Sequence, residues 1–426
     1  MKKFIRFLIP LLILSLVLTQ IHVLTAQAPV KLVMWSIADE TDALHKTMVD
    51  AVARYNKAHE GKIEIDITYI HNDQFKPQLE IAIAGGKPPD IFQTWGGGVL
   101  LSQVKAGVVR DIPALTGDAG KKFGAAGFGP GTFDGKRYAV PVDLSGVFLW
   151  ANSEIMEKNG VPLPDTWESL ISACKALNDK GVVPIGLTNL DKWPGAFYTY
   201  YLVDRIGGPQ VFLDAFNRKG SFQDAPFVQA GKMIQEAVDA NCFEPGYNGN
   251  KWDSGQVLFG GGQVAMQLQG NWLIDGAKKG GLDPKNMRAL PFPKVTGGKG
   301  DPTDMIGGTG QSYAISAKAP KEADDALIEM LSSEDFGKSV AVDASLMPAL
   351  TVANQYIPDA VVKSMAETLA KSAYVQLAWD QFLPPALAQV FLQTNQDTFG
   401  KATTPEKAAT DLEAAAKSAA ATEAAH

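Results

Sequence analysis

Hydrophobic and polar positions along this chain switch repeatedly between two periods, and the switches mark its elements. Val30 to Ser36 has the character of a buried strand, and Thr41 to Ala58 repeats apolar residues at helical spacing. Lys62 to Ile70 (KIEIDITYI) alternates residue by residue, as a strand with one covered face does. A helix over Phe75 to Ala84, a strand over Asp90 to Thr94 and a helix over Val99 to Ala106 continue the series. Repeated strand–helix units of this kind predict a mostly parallel sheet with helices on both faces. Ligands of such sheets collect beyond the C-terminal strand ends.

One of those ends is distinctive. In IAIAGGKPPDIFQTWGGGVLLSQVKAGVVRDI, Ile81 to Ile112, the glycines Gly85 and Gly86 end a helix and Pro88 with Pro89 forbids its continuation. The strand then delivers Trp95 directly before Gly96, Gly97 and Gly98, residues small enough to let a ligand approach the backbone.

Further on, Gly135 in FDGKRYAV signals a tight turn, and Pro141-Val142-Asp143 leads into a strand over Val147 to Asn152 that reads as the first crossing between two lobes. Ser153 is the expected cap of a short helix ending at Gly160, and Thr166 that of a long helix over Trp167 to Asp179. Helices are predicted over Ala196 to Ile206, Phe227 to Ala240 and Gly255 to Phe259, with a strand over Val264 to Gln269. Thr296 to Gly310 reads as a glycine-rich loop carrying a second crossing, and Gln311 to Ser316 as a strand returning to the first lobe. Helices over Lys321 to Ser332, Asp335 to Asp343, Asp359 to Lys371, Ala386 to Gln396 and Pro405 to Ala420 complete the chain, with fraying expected from Ala414. The expected division is residues 29–141 with about 302–342 in an N-terminal lobe, and 142–301 with about 343–426 in a C-terminal lobe.

Composition adds the compartment. Lys2, Lys3 and Arg6 precede an apolar run from Phe7 to Leu18 and then Ala26-Gln27-Ala28, the layout of a secretory signal peptide over residues 1–28. The run is shorter than the roughly 20 residues of a spanning helix. No cysteine lies nearby to carry a lipid, so a protein free in a periplasmic or other extracytoplasmic space is expected. The formal charge of −7 becomes −7 − 3 = −10 once those three cations are removed, and the absence of a basic cluster argues against nucleic acid as a partner. Cys174 and Cys242 can pair in an oxidising compartment, but sequence does not show whether they meet and leaves their pairing open.

The GGKPPDIFQTW run, with AVPVDLSGVFLWAN (Ala139 to Asn152) and GQVAMQLQGNW (Gly262 to Trp272), resembles the extracellular solute-binding proteins of ABC importers, in particular those that carry sugars and oligosaccharides such as maltose. The resemblance covers nearly the whole chain after the leader. It implies an α/β fold of two lobes joined by hinge crossings, a carbohydrate held between them, delivery to a membrane permease, and a ligand-stacking aromatic at the GNW turn, here Trp272 with Gly270 and Asn271. No cofactor is called for, and a monomer is expected.

A sugar offers C–H faces and a belt of hydroxyls, so its site needs flat aromatic rings together with carboxylates and amides. Of eight tryptophans, Trp150 lies inside an apolar strand and Trp167 follows a helix cap, so both are assigned to packing. Trp95 and Trp272 lead the candidate platforms, Trp193 and Trp379 follow, and Trp252 and Trp35 rank behind. Asp143 stands at the first crossing, where both lobes reach a bound solute. Asp39 with Glu40, and Asp73 with Gln74, occupy loops after the first two strands, and one of each pair is expected to face the cleft. Asp191 and Asp380 stand beside candidate tryptophans, Asn271 and Gly96 flank others, and Gly308-Thr309-Gly310 offers donors from the second crossing.

Catalytic signals are weak. The chain has no His-Glu-x-x-His, Gly-x-Ser-x-Gly or Cys-x-x-Cys, and Gly297-Gly298-Lys299-Gly300 lacks the Ser or Thr of a phosphate loop. Two readings stay open beside the receptor: a secreted carbohydrate-active hydrolase using two acids across a cleft, and a receptor for a non-sugar solute such as a polyamine.

Overall fold

The computed structural model describes residues 28–424, so the expected leader lies outside the described residues, all but Ala28. Two sheets organise the chain. The first has the order Ile63–Tyr69, Val30–Ser36, Ile91–Thr94, Ser312–Ile315, Ala139–Pro141. Its first three strands are parallel, with Val30 opposite Ile63 and Met34 opposite Ile91, and Ser312–Ile315 runs antiparallel to both of its neighbours. The second is built on the ten-residue strand Asp143–Asn152, which pairs with Met305–Thr309 and Val264–Gly270 and also takes Met287–Leu290 and Met347–Pro348. Val183–Gly186 and Val375–Gln376 close its edges.

The lobed α/β expectation holds, but the sheets are mixed. Antiparallel pairs arise where the chain passes from one lobe into the other and back, because a strand entering without a covering helix meets its neighbours in the opposite direction. The span expected as a loop, Thr296 to Gly310, contains the strand Met305–Thr309, which pairs in the second sheet. The return to the first sheet therefore falls after Thr309, not near residue 302. The last helix, Pro405–Ala424, is continuous past Ala414 instead of fraying there. Asn152, not Ser153, caps the helix Ser153–Lys158, its side chain accepting from the backbone N–H of Glu154 and Ile155. Thr166 caps Trp167–Asn178 as expected, with Ser169 completing the reciprocal pair.

Three passages between the lobes lie side by side. Val142 donates its N–H to the Gln311 carbonyl (2.9 Å), Gly310 to that of Asp143 (2.9 Å) and Ala349 to that of Val142 (3.0 Å). Leu346, Ala349 and Leu350 pack in the first lobe's core, whereas Ile357, Val362 and Met365 pack in the second lobe. Cys174 and Cys242 form a disulfide with Cα atoms 5.0 Å apart. Cys242 sits just beyond the helix Ala225–Asp239 and bonds Cys174 on the helix Trp167–Asn178.

Candidate functional site

A cavity of about 370 Å³ lies between the lobes, within the roughly 300–1,000 Å³ that hold small organic ligands. Its polar floor is built at the hinge. Asp143 opens the long crossing strand, Gln311 precedes the returning strand, and Asp42 stands just before the helix His45–Ala58. The backbone N–H of Gln311 donates to Asp143 Oδ1 (2.7 Å), and its amide Nε2 donates to both oxygens of Asp42 (3.3 and 3.1 Å). Asp42 also accepts from the N–H of Leu44 (2.8 Å), a bond that delays the helix start from the expected Thr41 to His45. A methyl at Gly310 would overlap the Asp143 carboxylate and would have to displace it.

Burial dominates the electrostatics of this floor. Desolvation pushes the Asp42 carboxyl up to about 7 and that of Asp143 up to about 8, partly offset by the donated N–H bonds. Near neutral pH these groups therefore act both as donors and as acceptors. Gln311 Oε1 is buried without a hydrogen-bond partner among the described residues.

The opposite wall is aromatic. Trp193 stands 5.7 Å from Trp252 and 6.2 Å from Trp272, ring centre to ring centre, and Phe197 lies 6.4 Å from Trp272. Trp272 is half-buried against core residues of both lobes, so it stands at their junction. Its ring folds over Gly270, where any Cβ would collide with it. Trp252 Nε1 is a buried donor without a partner among the described residues. Asp191 holds this wall together: its Oδ2 accepts the N–H of Trp252 (2.9 Å).

Charged pairs cross the mouth. Lys76 of the first lobe meets Asp380 of the second at 3.5 Å, and Lys251 of the second meets Asp73 of the first at 3.0 Å. Asp380 also accepts from the Tyr200 hydroxyl (3.1 Å). The Lys76 ammonium stands 4.7 Å from the Trp95 ring centre, and Phe75 presents an edge contact at 6.1 Å.

The cavity thus collects Trp95, Trp193, Trp252, Trp272, Asp143, Asp191, Thr309, Gly310 and Asp380 from the sequence-based candidates, together with Asp73. The others fall elsewhere, for physical reasons. Trp379 is only 2% exposed and stacks on Phe212 at 4.2 Å, deep in the second lobe's core. Asn271 is fully buried, with Oδ1 accepting from Gly146 N–H (3.1 Å) and Nδ2 donating to the Leu144 carbonyl (3.3 Å), so it pins two strands. Asp39 accepts from the N–H and hydroxyl of Thr41 in a turn, and Glu40 is exposed, so neither of that pair lines the cavity. In the other pair Asp73, not Gln74, lines it; Gln74 points outward on the surface and bonds Gln78.

Gly96 to Gly98 lie outside the cavity lining and serve packing, Gly96 within the first lobe and Gly97 and Gly98 against the second. Gly96 lies against Pro130, and methyl groups at Gly97 and Gly98 would overlap the carbonyl oxygens of Gln381 and Phe382. Trp150 and Trp167 are buried packing residues as expected, bonding the Gln269 carbonyl and Glu236. Sequence reasoning missed Asp42, Gln311, Lys76 and Gln256. Only Asp42 carried a usable signal, as an aspartate close to the start of a predicted helix.

Two α/β lobes that share three adjacent crossings and enclose an aromatic-and-acid cavity between them define a cleft-type binding protein. The chain belongs to the bacterial extracellular solute-binding protein family, whose model matches residues 38–338. It is 26% identical over 352 residues to a probable sugar-binding periplasmic protein of Mesorhizobium japonicum, covering 78% of this chain and 81% of that one. It is 25% identical over 267 residues to an uncharacterized ABC transporter extracellular-binding protein of Pyrococcus horikoshii, covering 61% of this chain but only 59% of that relative. A structure solved in work on xylan utilization by the thermophilic bacterium Caldanaerobius polysaccharolyticus matches with a TM-score of 0.85 at 29% identity, covering 90% of this chain and 99% of that one. Among the described residues no helix is long and apolar enough to cross a membrane, and no group of three or more His, Cys, Asp or Glu is placed to hold a metal.

Proposed function

We propose that this chain is an extracytoplasmic receptor that binds a neutral mono- or oligosaccharide in its interlobe cavity and delivers it to the permease of an ABC importer. The observation that carries this reading is the pairing of the Trp193, Trp252 and Trp272 cluster with the Asp42, Gln311 and Asp143 floor across one cavity. Rings of this kind cover the C–H faces of a sugar, and carboxyls that both donate and accept hold its hydroxyls. The Mesorhizobium relative is described as sugar-binding and the Pyrococcus relative as part of an ABC transporter, which supports the class and the partner.

In this reading Trp272 and Trp193 are the main platforms, Asp143, Asp42 and Gln311 hold hydroxyls at the hinge, and Asp191, Asp380 and Thr309 line the sides. The chain acts as a monomer without cofactor, without turnover and without nucleic acid, after export by a leader that is removed. Ligand shifts an open population toward the closed one because only the closed form presents both walls at once.

The test is intrinsic tryptophan fluorescence and thermal melting against mono-, di- and trisaccharides, with spermidine as the non-sugar control and product analysis on every sample. A saturable shift with one sugar class and unchanged sugar supports the reading. Hydrolysis, or a shift with spermidine alone, overturns it.

A further inference from the structure

The aromatic wall is presented by a short segment under unusual constraint. Between the strand Val183–Gly186 and the helix Trp193–Gly207, two non-glycine residues adopt positive φ: Thr188 at 49° and Lys192 at 67°. Lys192 has ψ of −37°, and the N–H of Trp193 donates to the Asp191 carbonyl at 2.8 Å. That is the rare, strained form of the γ-turn, persisting only where the surroundings over-determine it. Its three residues, Asp191, Lys192 and Trp193, all line the cavity.

What over-determines the turn lies outside the cavity. Glu244, 4% exposed, uses one carboxylate oxygen to accept from the N–H of Leu187 (2.7 Å) and the other to accept from that of Thr188 (2.9 Å). Asn250 Nδ2 adds a third bond to that second oxygen (3.3 Å). The fully buried Asn189 accepts from Gly195 N–H (2.9 Å) at the far side of the turn. Glu244 is itself held by its position two residues after the disulfide-bonded Cys242, and by its N–H bond to the Ile185 carbonyl (3.1 Å). Among the described residues this buried carboxyl forms no ion pair, and its bonds go to the two backbone N–H groups and the Asn250 amide.

We infer that Glu244 is a positioning residue for solute binding: from outside the cleft it clamps Leu187 and Thr188, so that the strained turn at Lys192 presents Asp191 and Trp193 preformed to the ligand. The inference rests on the binding role given above. Presenting both residues in their bound geometry removes an ordering cost that a relaxed loop would meet on each binding event. The turn also orders the neighbouring ring, since Asp191 bonds the N–H of Trp252.

The test compares K192A with K192G, which lose the same side chain but differ in backbone freedom, and adds E244Q. Amide hydrogen exchange over residues 187–193 in the free protein, melting temperature, and affinity for the tightest-binding sugar of the panel are measured on each. The expected result is exchange faster by about ten-fold or more in K192G and E244Q than in K192A. Affinity should fall by about five-fold or more in K192G relative to K192A, with the K192G melting temperature equal or higher because strain is relieved. A purely structural role would move stability and affinity in the same direction. Exchange and affinity in E244Q equal to those of the unaltered protein, or equal exchange and equal affinity in K192A and K192G, would overturn the inference. If the unaltered protein binds no sugar, the receptor reading fails, and the exchange comparison alone still decides whether Glu244 clamps the turn.

Discussion

Lys76 and Asp380 meet across the cleft, the ammonium of one lobe 3.5 Å from a carboxylate oxygen of the other, while the same ammonium stands over the Trp95 ring. Because Asp380 is nearly buried and oriented by the Tyr200 hydroxyl, the pair is worth about 1 kcal/mol, at the upper end for partly exposed ion pairs. K76M should shift the ligand-free protein toward an open form and weaken sugar binding by about five-fold. Small-angle scattering should then report a larger radius of gyration, reduced again by ligand. An unchanged radius and affinity would remove the pair from any role in closure.

Gly97 and Gly98, just after Trp95, lie where the first lobe touches the second. A methyl at Gly98 would overlap the Phe382 carbonyl, and Gly98 does not need a left-handed backbone, so G98A is a purely steric change. Overpacking of this kind costs about 1–3 kcal/mol. The variant should melt lower and close less completely on sugar, measured by the change in scattering radius on saturation.

Asp42 and Asp143 give the cleft a pH signature. Both carboxyls are raised, chiefly by burial, to about 7 and about 8. Over the range between the ordinary carboxyl value near 4 and those values, the folded chain holds protons that the unfolded chain has released. Their contribution to stability is therefore fully present below about pH 4 and declines as pH rises to about 7 for Asp42 and about 8 for Asp143. D143N should flatten part of that decline in a melting-temperature series from pH 5 to 9. A sugar whose hydroxyls donate to these carboxyls favours their charged form, so binding at pH 7 should release protons, visible as a dependence of titration heat on buffer ionisation enthalpy.

Two tryptophans separate stability from recognition. Trp379 is enclosed by Phe212, Tyr200, Phe227 and Phe391, and W379A should cost about 3–5 kcal/mol of stability, read by denaturant unfolding. W272L, at a half-buried ring beside the cavity, should cost less than half as much and reduce affinity far more. The reverse ordering would exchange their assigned roles.

The disulfide closes a separation of 68 residues between Cys174 and Cys242. The chain-entropy argument gives it about 4 kcal/mol against unfolding. C174S/C242S should melt correspondingly lower and should also loosen residues 187–193, since Cys242 anchors the segment that carries Glu244.

Elements governed by local sequence were legible, and residues governed by distant packing were not. Val30–Ser36 is recovered residue for residue, and the Thr166 cap is recovered because its partner Ser169 lies three positions away. Trp272 and Trp379 look alike in sequence, each at the start of a short helical turn. Their fates differ because Phe212, from a helix far earlier in the chain, stacks on Trp379. Gln311 is inconspicuous as a glutamine at a strand's edge, and becomes central only when the hinge sets it between Asp42 and Asp143. The Gly96–Gly98 run was conspicuous for the right chemistry and the wrong neighbour: small residues do allow close approach, but of Pro130, Gln381 and Phe382. Lobe crossings are also hard to read, since Met305–Thr309 is glycine-containing and loop-like in composition yet pairs with the long strand of the second sheet.

Isothermal titration of the purified protein and of W272A with the sugar panel decides whether the cavity is a sugar site. A sugar site in the cavity gives saturable one-to-one binding of a neutral sugar by the unaltered protein, weakened about a hundred-fold or more in W272A while the variant still unfolds cooperatively. Absence of binding across the panel, or equal affinity in the folded variant, would contradict it.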